Sequence, residues 1–246
     1  MPAQRQPAFL HRTIALAVLV LNTMAVPAFL FADDSVRFTE HLLADRLGYV
    51  FGVAAADLDG DLDLTSPDIH NKSHSTLFWY QNKGNDRFER LVIHKDEPGW
   101  FERHSIADVN GDGTLDVAVI NNLKGQVVWF ANSGAPASGL WQRFVITTNC
   151  PRAYDVALAD IDIDGDLDAA TAGYVSHLVT WYENPGNGGF DNEWMRRVID
   201  DAMYEARTIG TGDFNRDGKV DLLATAVGRL SADAPDSPDH RSQIVW

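Results

Sequence analysis

The sequence has one cysteine in 246 residues, Cys150, so an internal disulfide is excluded. No CxxC pair or Cys/His cluster offers a zinc site either. Basic residues are scarce: 20 Lys and Arg stand against 35 Asp and Glu, giving a formal charge of -15. Recognition of nucleic acid through phosphate neutralisation is therefore not expected. Beyond residue 32 no segment sustains amphipathic helix periodicity, and the chain shows no nucleophile–base pair, phosphate loop or cofactor fingerprint. What it does have is apolar material, 45% hydrophobic and 10% aromatic, enough for a packed fold and against wholesale disorder.

Residues 1–32 contain Arg5 and Arg12 but no acid, then an apolar stretch from Ile14 and small residues at Ala28 and Ala32. This is the layout of a secretory signal, with residues 33–246 as the exported part, whether secreted, periplasmic or at the cell surface. An uncleaved anchor is the alternative, but Asn22, Thr23 and Pro27 interrupt the apolar stretch. The mature chain is expected to have no membrane span.

The acidity is concentrated. Fifteen Asp residues lie in the runs DLDGDLD, DVNGDGTLD, DIDIDGDLD and DFNRDGKVD, and without them the formal charge would be 0. The runs begin at Asp57, Asp108, Asp160 and Asp213, so the spacings are 51, 52 and 53 residues. Other features keep the same phase. An alternating segment ending in an aromatic follows each run, at Trp79-Tyr80, Trp129-Phe130, Trp181-Tyr182 and Trp246. The first three continue into Asn82, Asn132 and Asn184, a Gly-rich turn, and then a segment such as Trp141-Gln-Arg143-Phe-Val-Ile146. Each period reads as four short strands, in the second period about 100–107, 115–121, 126–131 and 141–147. The expected fold is all-β, a β-propeller with four blades of four antiparallel strands. Residues 37–43 resemble a fourth strand and would complete the last blade, closing a four-bladed ring; a fragment of a larger ring, of seven blades for example, fits the same pattern.

In runs two to four, oxygen-bearing side chains occupy positions 1, 3, 5 and 9: Asp108, Asn110, Asp112 and Asp116; Asp160, Asp162, Asp164 and Asp168; Asp213, Asn215, Asp217 and Asp221. A glycine at position 6 permits a sharp turn, which lets alternate oxygens converge. Such a cluster repels itself unless a cation sits in it, and all-oxygen ligation favours calcium. An EF-hand is excluded, because position 12 is Val119, Thr171 or Ala224 and the flanks are strands. Asp61-Leu-Asp63-Leu-Thr65 matches a phosphatase DxDxT signature, yet the repeat accounts for the same residues. Run one, with Asp57, Asp59, Asp61 and Asp63, is two residues shorter, and a weaker or empty site is expected there.

These segments resemble FG-GAP or VCBS-type repeats, the blades of integrin-alpha-like β-propellers, from Val36 to Trp246. The resemblance implies a calcium site in each Asp loop, up to four structural ions, and ligand contacts on the opposite face. Loops there carry Tyr49, His70, His74, Trp100, Glu102, Arg103, Arg152, Tyr154, Asp155, His177, Tyr204, Glu205 and Arg207. Aromatic, Arg and carboxylate groups around a funnel suit a glycan or protein ligand; the spacing of His70 and His74 means little in a loop. The reading is an exported calcium-binding adhesion or binding module. The alternative is a carbohydrate-active enzyme, a polysaccharide lyase or sugar dehydratase, with its site on that face.

Overall fold

The computed structural model describes residues 39–70, 73–186, 188–227 and 242–246. The signal-like segment lies outside them. Residues 41–246 belong to one compact unit.

Among the described residues, strand-forming segments between turns give fifteen strands and one short 3-10 turn at Pro136–Ser138. The first sheet contains β1 (Ala54–Asp57), β2 (Leu62–His70), β3 (His74–Asn82) and β4 (Phe88–Pro98). The second has β5 (Phe101–Ala107), β6 (Asp116–Asn121), β7 (Gln126–Ala131) and β8 (Gln142–Thr147). The third has β9 (Ala153–Ala159), β10 (Asp168–Gly173), β11 (Val179–Glu183) and β12 (Met195–Asp200), and the last has β13 (Ala206–Gly212), β14 (Asp221–Ala226) and β15 (Gln243–Val245). Every sheet is an antiparallel meander in sequence order.

The four-stranded expectation holds for three sheets; the last has three strands among the described residues. Residues 39–43 lie outside any strand, so the described part of the 37–43 segment does not supply the missing one. Arg37 and Phe38 fall outside the described residues. In the second sheet the strand limits fall within one residue of the expected ones.

Middle strands are buried on both faces, which alternation along the chain makes readable. In β6, Val117 and Val119 join a core with Leu77, Trp79 and Ile93 of the first sheet. Their neighbours Ala118 and Ile120 face the other way, into a core with Ala169 and Tyr182 of the third. Likewise Ala169 of β10 faces the second sheet while Ala170 and Ala172 face the last, with Ala206, Ala224 and Ala226. Consecutive sheets therefore stack face to face, with β5 against β9 and β9 against β13 on their first strands.

Backbone bonds stitch the outer strands together. Trp141 N–H donates to Ile93 O at 3.0 Å, and Trp194 N–H donates to Ile146 O at 2.9 Å, so Trp141 and Trp194 each reach back onto the preceding sheet. Beside the first of these joints, Glu97 of β4 accepts from His94 Nε2 at 2.9 Å and from Arg143 Nη2 of β8 at 3.1 Å. Burial alone would raise the Glu97 pKa, but the His94 bond and the Arg143 charge outweigh it and hold the carboxyl below its usual value. The stabilisation this gives is complete at neutral pH and is lost as pH falls through and below the ordinary glutamate range near about 4.3. Glu97→Gln should cost on the order of 2 kcal/mol in urea titrations at pH 7. The same variant should cost much less at pH 3; an equal loss at both would rule out the clasp.

Candidate calcium loops and binding cleft

The Asp runs join the first two strands of each sheet, so all lie at the same end of the strands. Runs two to four share one loop geometry. In the third sheet, Asp160 accepts from the backbone N–H of Asp164 (3.1 Å) and Gly165 (3.2 Å), and Asp162 accepts from Asp164 N–H (3.3 Å). Asp108 and Asp213 accept the equivalent pairs, from Asp112 and Gly113 and from Asp217 and Gly218, at 2.8–3.0 Å. The sixth-position glycines have φ of 88°, 98° and 86°, a left-handed turn that side-chain-bearing residues disfavour.

This geometry gathers oxygen. Carboxylate oxygens of Asp160, Asp162 and Asp164 lie within 4.8 Å of one another. Desolvation and the charges of Asp164, Glu183 and Asp160 raise the Asp162 pKa. In the second and fourth loops Asn110 and Asn215 take the place of Asp162, and their amides donate to Asp112 and Asp217 at 3.0 and 3.1 Å. The donor set is hard oxygen throughout, which fits a calcium ion.

The last Asp of each run has a further duty. Asp116, fully buried, accepts from Val109 N–H at 3.1 Å and Asn132 N–H at 2.8 Å; Asp168 does the same with Ile161 (3.2 Å) and Asn184 (2.8 Å). Burial pushes these carboxyls up to about 7 and about 6, against the lowering effect of those bonds. The phased asparagines explain themselves here. The main-chain N–H groups of Asn82, Asn132 and Asn184 donate to Asp63, Asp116 and Asp168 while their side-chain oxygens accept from Gly84, Gly134 and Gly186 N–H, fixing the turn.

Run one is built differently. Asp57 accepts from Gly60 N–H at 2.5 Å, and Asp59 is bonded by Gln81 of β3, so the two-residue deletion has removed the shared loop geometry.

At the opposite end of the strands lies a cleft of ≈ 860 Å³. Its pattern is legible in register. Counting eight residues back from the first Asp of each run gives Tyr49, Trp100, Arg152 and Glu205; counting six back gives Phe51, Glu102, Tyr154 and Arg207. All of these but Glu205 and Arg207 line the cleft, with Asn122, Tyr174 and Val175 from the hairpins between second and third strands. Arg152 and Glu205 both have left-handed backbones, φ 54° and 52°, where each chain turns into its first strand. Gly48 is required on the rim: a Cβ there would sit 2.3 Å from Ile69 O, breaking the pairing of Tyr49 with Ile69.

Asn122 organises the floor. It donates to Ala153 O at 2.8 Å and to Glu102 Oε2 at 3.4 Å, and accepts from Arg152 Nη1 at 2.8 Å. Arg152 also lies over Trp100, 5.2 Å from the ring centre. Arg103, Asp155 and Arg207, expected as ligand contacts, stand behind the wall. Arg103 Nη1 donates to Asp155 Oδ2 at 3.1 Å, which also accepts from Ile209 N–H of β13 at 3.2 Å. Arg207 packs over Tyr154 (4.9 Å) and Tyr174 (4.1 Å) and donates to Glu205 at 3.0 Å. Tyr204 stacks on His177, whose Nδ1 accepts from Glu205 N–H at 3.0 Å, and neither lines the cleft. His70 and His74 stack with ring centres 6.4 Å apart, and His70 meets Asp96 at 3.5 Å, away from the cleft lining. Phe51, Tyr174 and Asn122 were missed by residue-type reasoning; the register would have found Phe51.

Residues 108–171 and 164–224, spanning the second to fourth Asp runs, match the FG-GAP-like repeat family. Residues 108–224 carry FG-GAP-like repeats. The first period, outside the matched span, keeps the sheet order of these repeats while departing in its Asp loop. The chain is also similar to cartilage acidic protein 1 of Xenopus tropicalis, 25% identical over 217 residues, covering 74% of this chain and 32% of the relative. The Mus musculus protein of that name is 26% identical over 222 residues, with 74% and 32% covered. The chain spans about a third of the length of the curated relatives it matches. No helix among the described residues is long and apolar enough to cross a membrane.

Proposed function

We infer that this FG-GAP-like chain is an exported binding module whose four sheets are propeller blades. Calcium holds the loops at one end, and a saccharide binds in the cleft at the other. The observation that carries the ligand reading is the in-register set of Tyr49, Phe51, Trp100, Glu102, Arg152 and Tyr154 lining one cavity. A volume of ≈ 860 Å³ is that of a small-ligand site and not of a flat protein interface. Aromatic walls with a few polar groups at their base match the needs of sugar rings, which offer both C–H faces and hydroxyls. The three full Asp loops supply the oxygen sets for calcium: Asp108, Asn110, Asp112 and Asp116; Asp160, Asp162, Asp164 and Asp168; Asp213, Asn215, Asp217 and Asp221. Calcium there carries no chemistry beyond holding the loops. Export is supported by the sequence of residues 1–32 and by relatives named for cartilage.

One observation favours the enzymatic alternative: Glu102 is buried in the cleft, and burial, only partly offset by Arg152, Arg103 and Arg207, pushes its carboxyl up to about 7. A single experiment separates the readings. An oligosaccharide array probed with the calcium-loaded protein, followed by chromatography of each hit, should show retention without cleavage. Trp100→Ala and Tyr154→Ala should each weaken binding about tenfold or more at unchanged melting temperature. Released fragments that vanish in Glu102→Gln would establish the enzyme instead, and an array with no hits would end the saccharide reading.

A further inference from the structure

We propose that the cleft is selective for acidic saccharides, with the carboxylate of a uronic-acid unit held by Arg152 and its ring laid against the aromatic wall. The proposal rests on the saccharide reading above and names the class of sugar.

Among the described residues, Arg103, Arg152 and Arg207 lie in or beside the cleft, and two of them already have carboxylate partners: Arg103 pairs with Asp155 at 3.1 Å and Arg207 with Glu205 at 3.0 Å. Arg152 is different. It lines the cavity, and its hydrogen bond goes to the neutral amide of Asn122. None of the ion pairs found among the described residues includes it. A guanidinium has five N–H donors in a planar fork that matches a carboxylate in two parallel bonds. Trp100 beneath it and the bond to Asn122 hold that fork in place. While Glu102 is neutral, an uncharged sugar offers the Arg152 guanidinium no anion, and a small free anion leaves the aromatic wall of Tyr49, Phe51, Trp100, Tyr154 and Tyr174 uncovered. A uronate uses both.

Glu102, in the same cavity, decides how the site responds to protons. The charges acting on it are Arg152, Arg103 and Arg207; the other titratable groups of the lining are the phenols of Tyr49, Tyr154 and Tyr174. His104, next on the same face of β5, is bonded through Nε2 to Thr65 at 2.7 Å, and burial pushes it down to about 4, so it is neutral from pH 6 to 8. Burial lifts the Glu102 carboxyl to about 7, so between those limits it changes from mostly neutral to mostly ionised. An anionic ligand beside it favours the neutral form further, so binding takes up a proton and strengthens as pH falls.

The test uses a glucuronate-containing tetrasaccharide and the same tetrasaccharide with its carboxyl groups reduced to alcohols, titrated calorimetrically into the calcium-loaded protein at pH 6 and pH 8. At pH 6 the acidic form should bind about tenfold more tightly than the reduced form. Its affinity should fall about tenfold from pH 6 to pH 8. Arg152→Gln should abolish the preference, Arg152→Lys should keep part of it, and Glu102→Gln should bind equally at both pH values. Melting temperatures of the variants, matched to the parent, show that each is folded. Equal binding of the acidic and reduced forms overturns the uronate proposal and leaves a saccharide cleft standing. An unchanged pH slope in Glu102→Gln overturns the proton linkage, and binding of neither form to a protein that finds no array ligand overturns both readings.

Discussion

Chelator-stripped protein brought to millimolar calcium should melt at a temperature higher by about 5–10 °C for each loop that fills. A ligand at a hundredfold its dissociation constant adds about 2.7 kcal/mol, and in a domain of this size each kcal/mol moves the midpoint by roughly 2–4 °C. Three loops share the geometry, and the shortened first loop does not, so three steps are expected rather than four. The sign of a charge-neutralising variant makes the prediction specific. Replacing Asp162 and Asp164 together by Asn removes two of the carboxylates that lie within 4.8 Å. In chelator the change should be neutral or slightly stabilising, because repulsion is relieved. In calcium it should lower the midpoint by one loop's share. Scanning calorimetry in both buffers checks this; a double variant equally destabilised in both would show that the Asp side chains serve only the turn.

Trp129→Ala should cost about 3–5 kcal/mol, the range for removing a fully buried indole. Trp129 sits in β7 on the face turned toward the third sheet, fully buried among Ala169, Tyr182 and Trp194. Its ring lies on Phe144 at 4.6 Å, nearly parallel, and meets the edge of Phe190 at 5.4 Å. Phe190 belongs to the loop between β11 and β12, so the substitution opens a void between two sheets and not within one. Such a loss is a large fraction of the roughly 5–15 kcal/mol that stabilises a typical domain. The control is Trp246→Ala: that side chain is two-thirds exposed and should cost within about 0.5 kcal/mol. Urea titration of both variants decides the matter, and a loss under about 1 kcal/mol at Trp129 would mean that the sheets do not depend on this contact.

Much of the architecture was legible because a repeat states the same local problem several times. Four Asp runs in one rhythm identified the strand connections, and the phased aromatics identified the core: Trp79 and Trp129 occupy equivalent buried places. The asparagines after them were visible as a pattern but had no assigned role until Asn132 and Asn184 were seen beside Asp116 and Asp168. The candidate cleft was half legible. Tyr49, Trp100, Arg152 and Tyr154 were named from loop position, whereas Arg103, Asp155 and Arg207 were assigned to the ligand and are spent on one another and on the wall.

Sequence alone determined the all-β class, the rhythm of the repeats, the shortened first loop and the oxygen sets, because each depends on residues close together along the chain. Tertiary structure decided which charges remain available. Arg103 and Asp155 are 52 residues apart, and only the stacking of sheets brings them to 3.1 Å while leaving Arg152 facing the cavity with a neutral partner. The same stacking buries Glu102, and desolvation then raises a carboxyl that would otherwise be ionised. Composition records that the protein is acidic and has few cations; the fold determines that Arg152 lines the cleft outside any ion pair found among the described residues, beside a Glu102 whose carboxyl burial tends to neutralise.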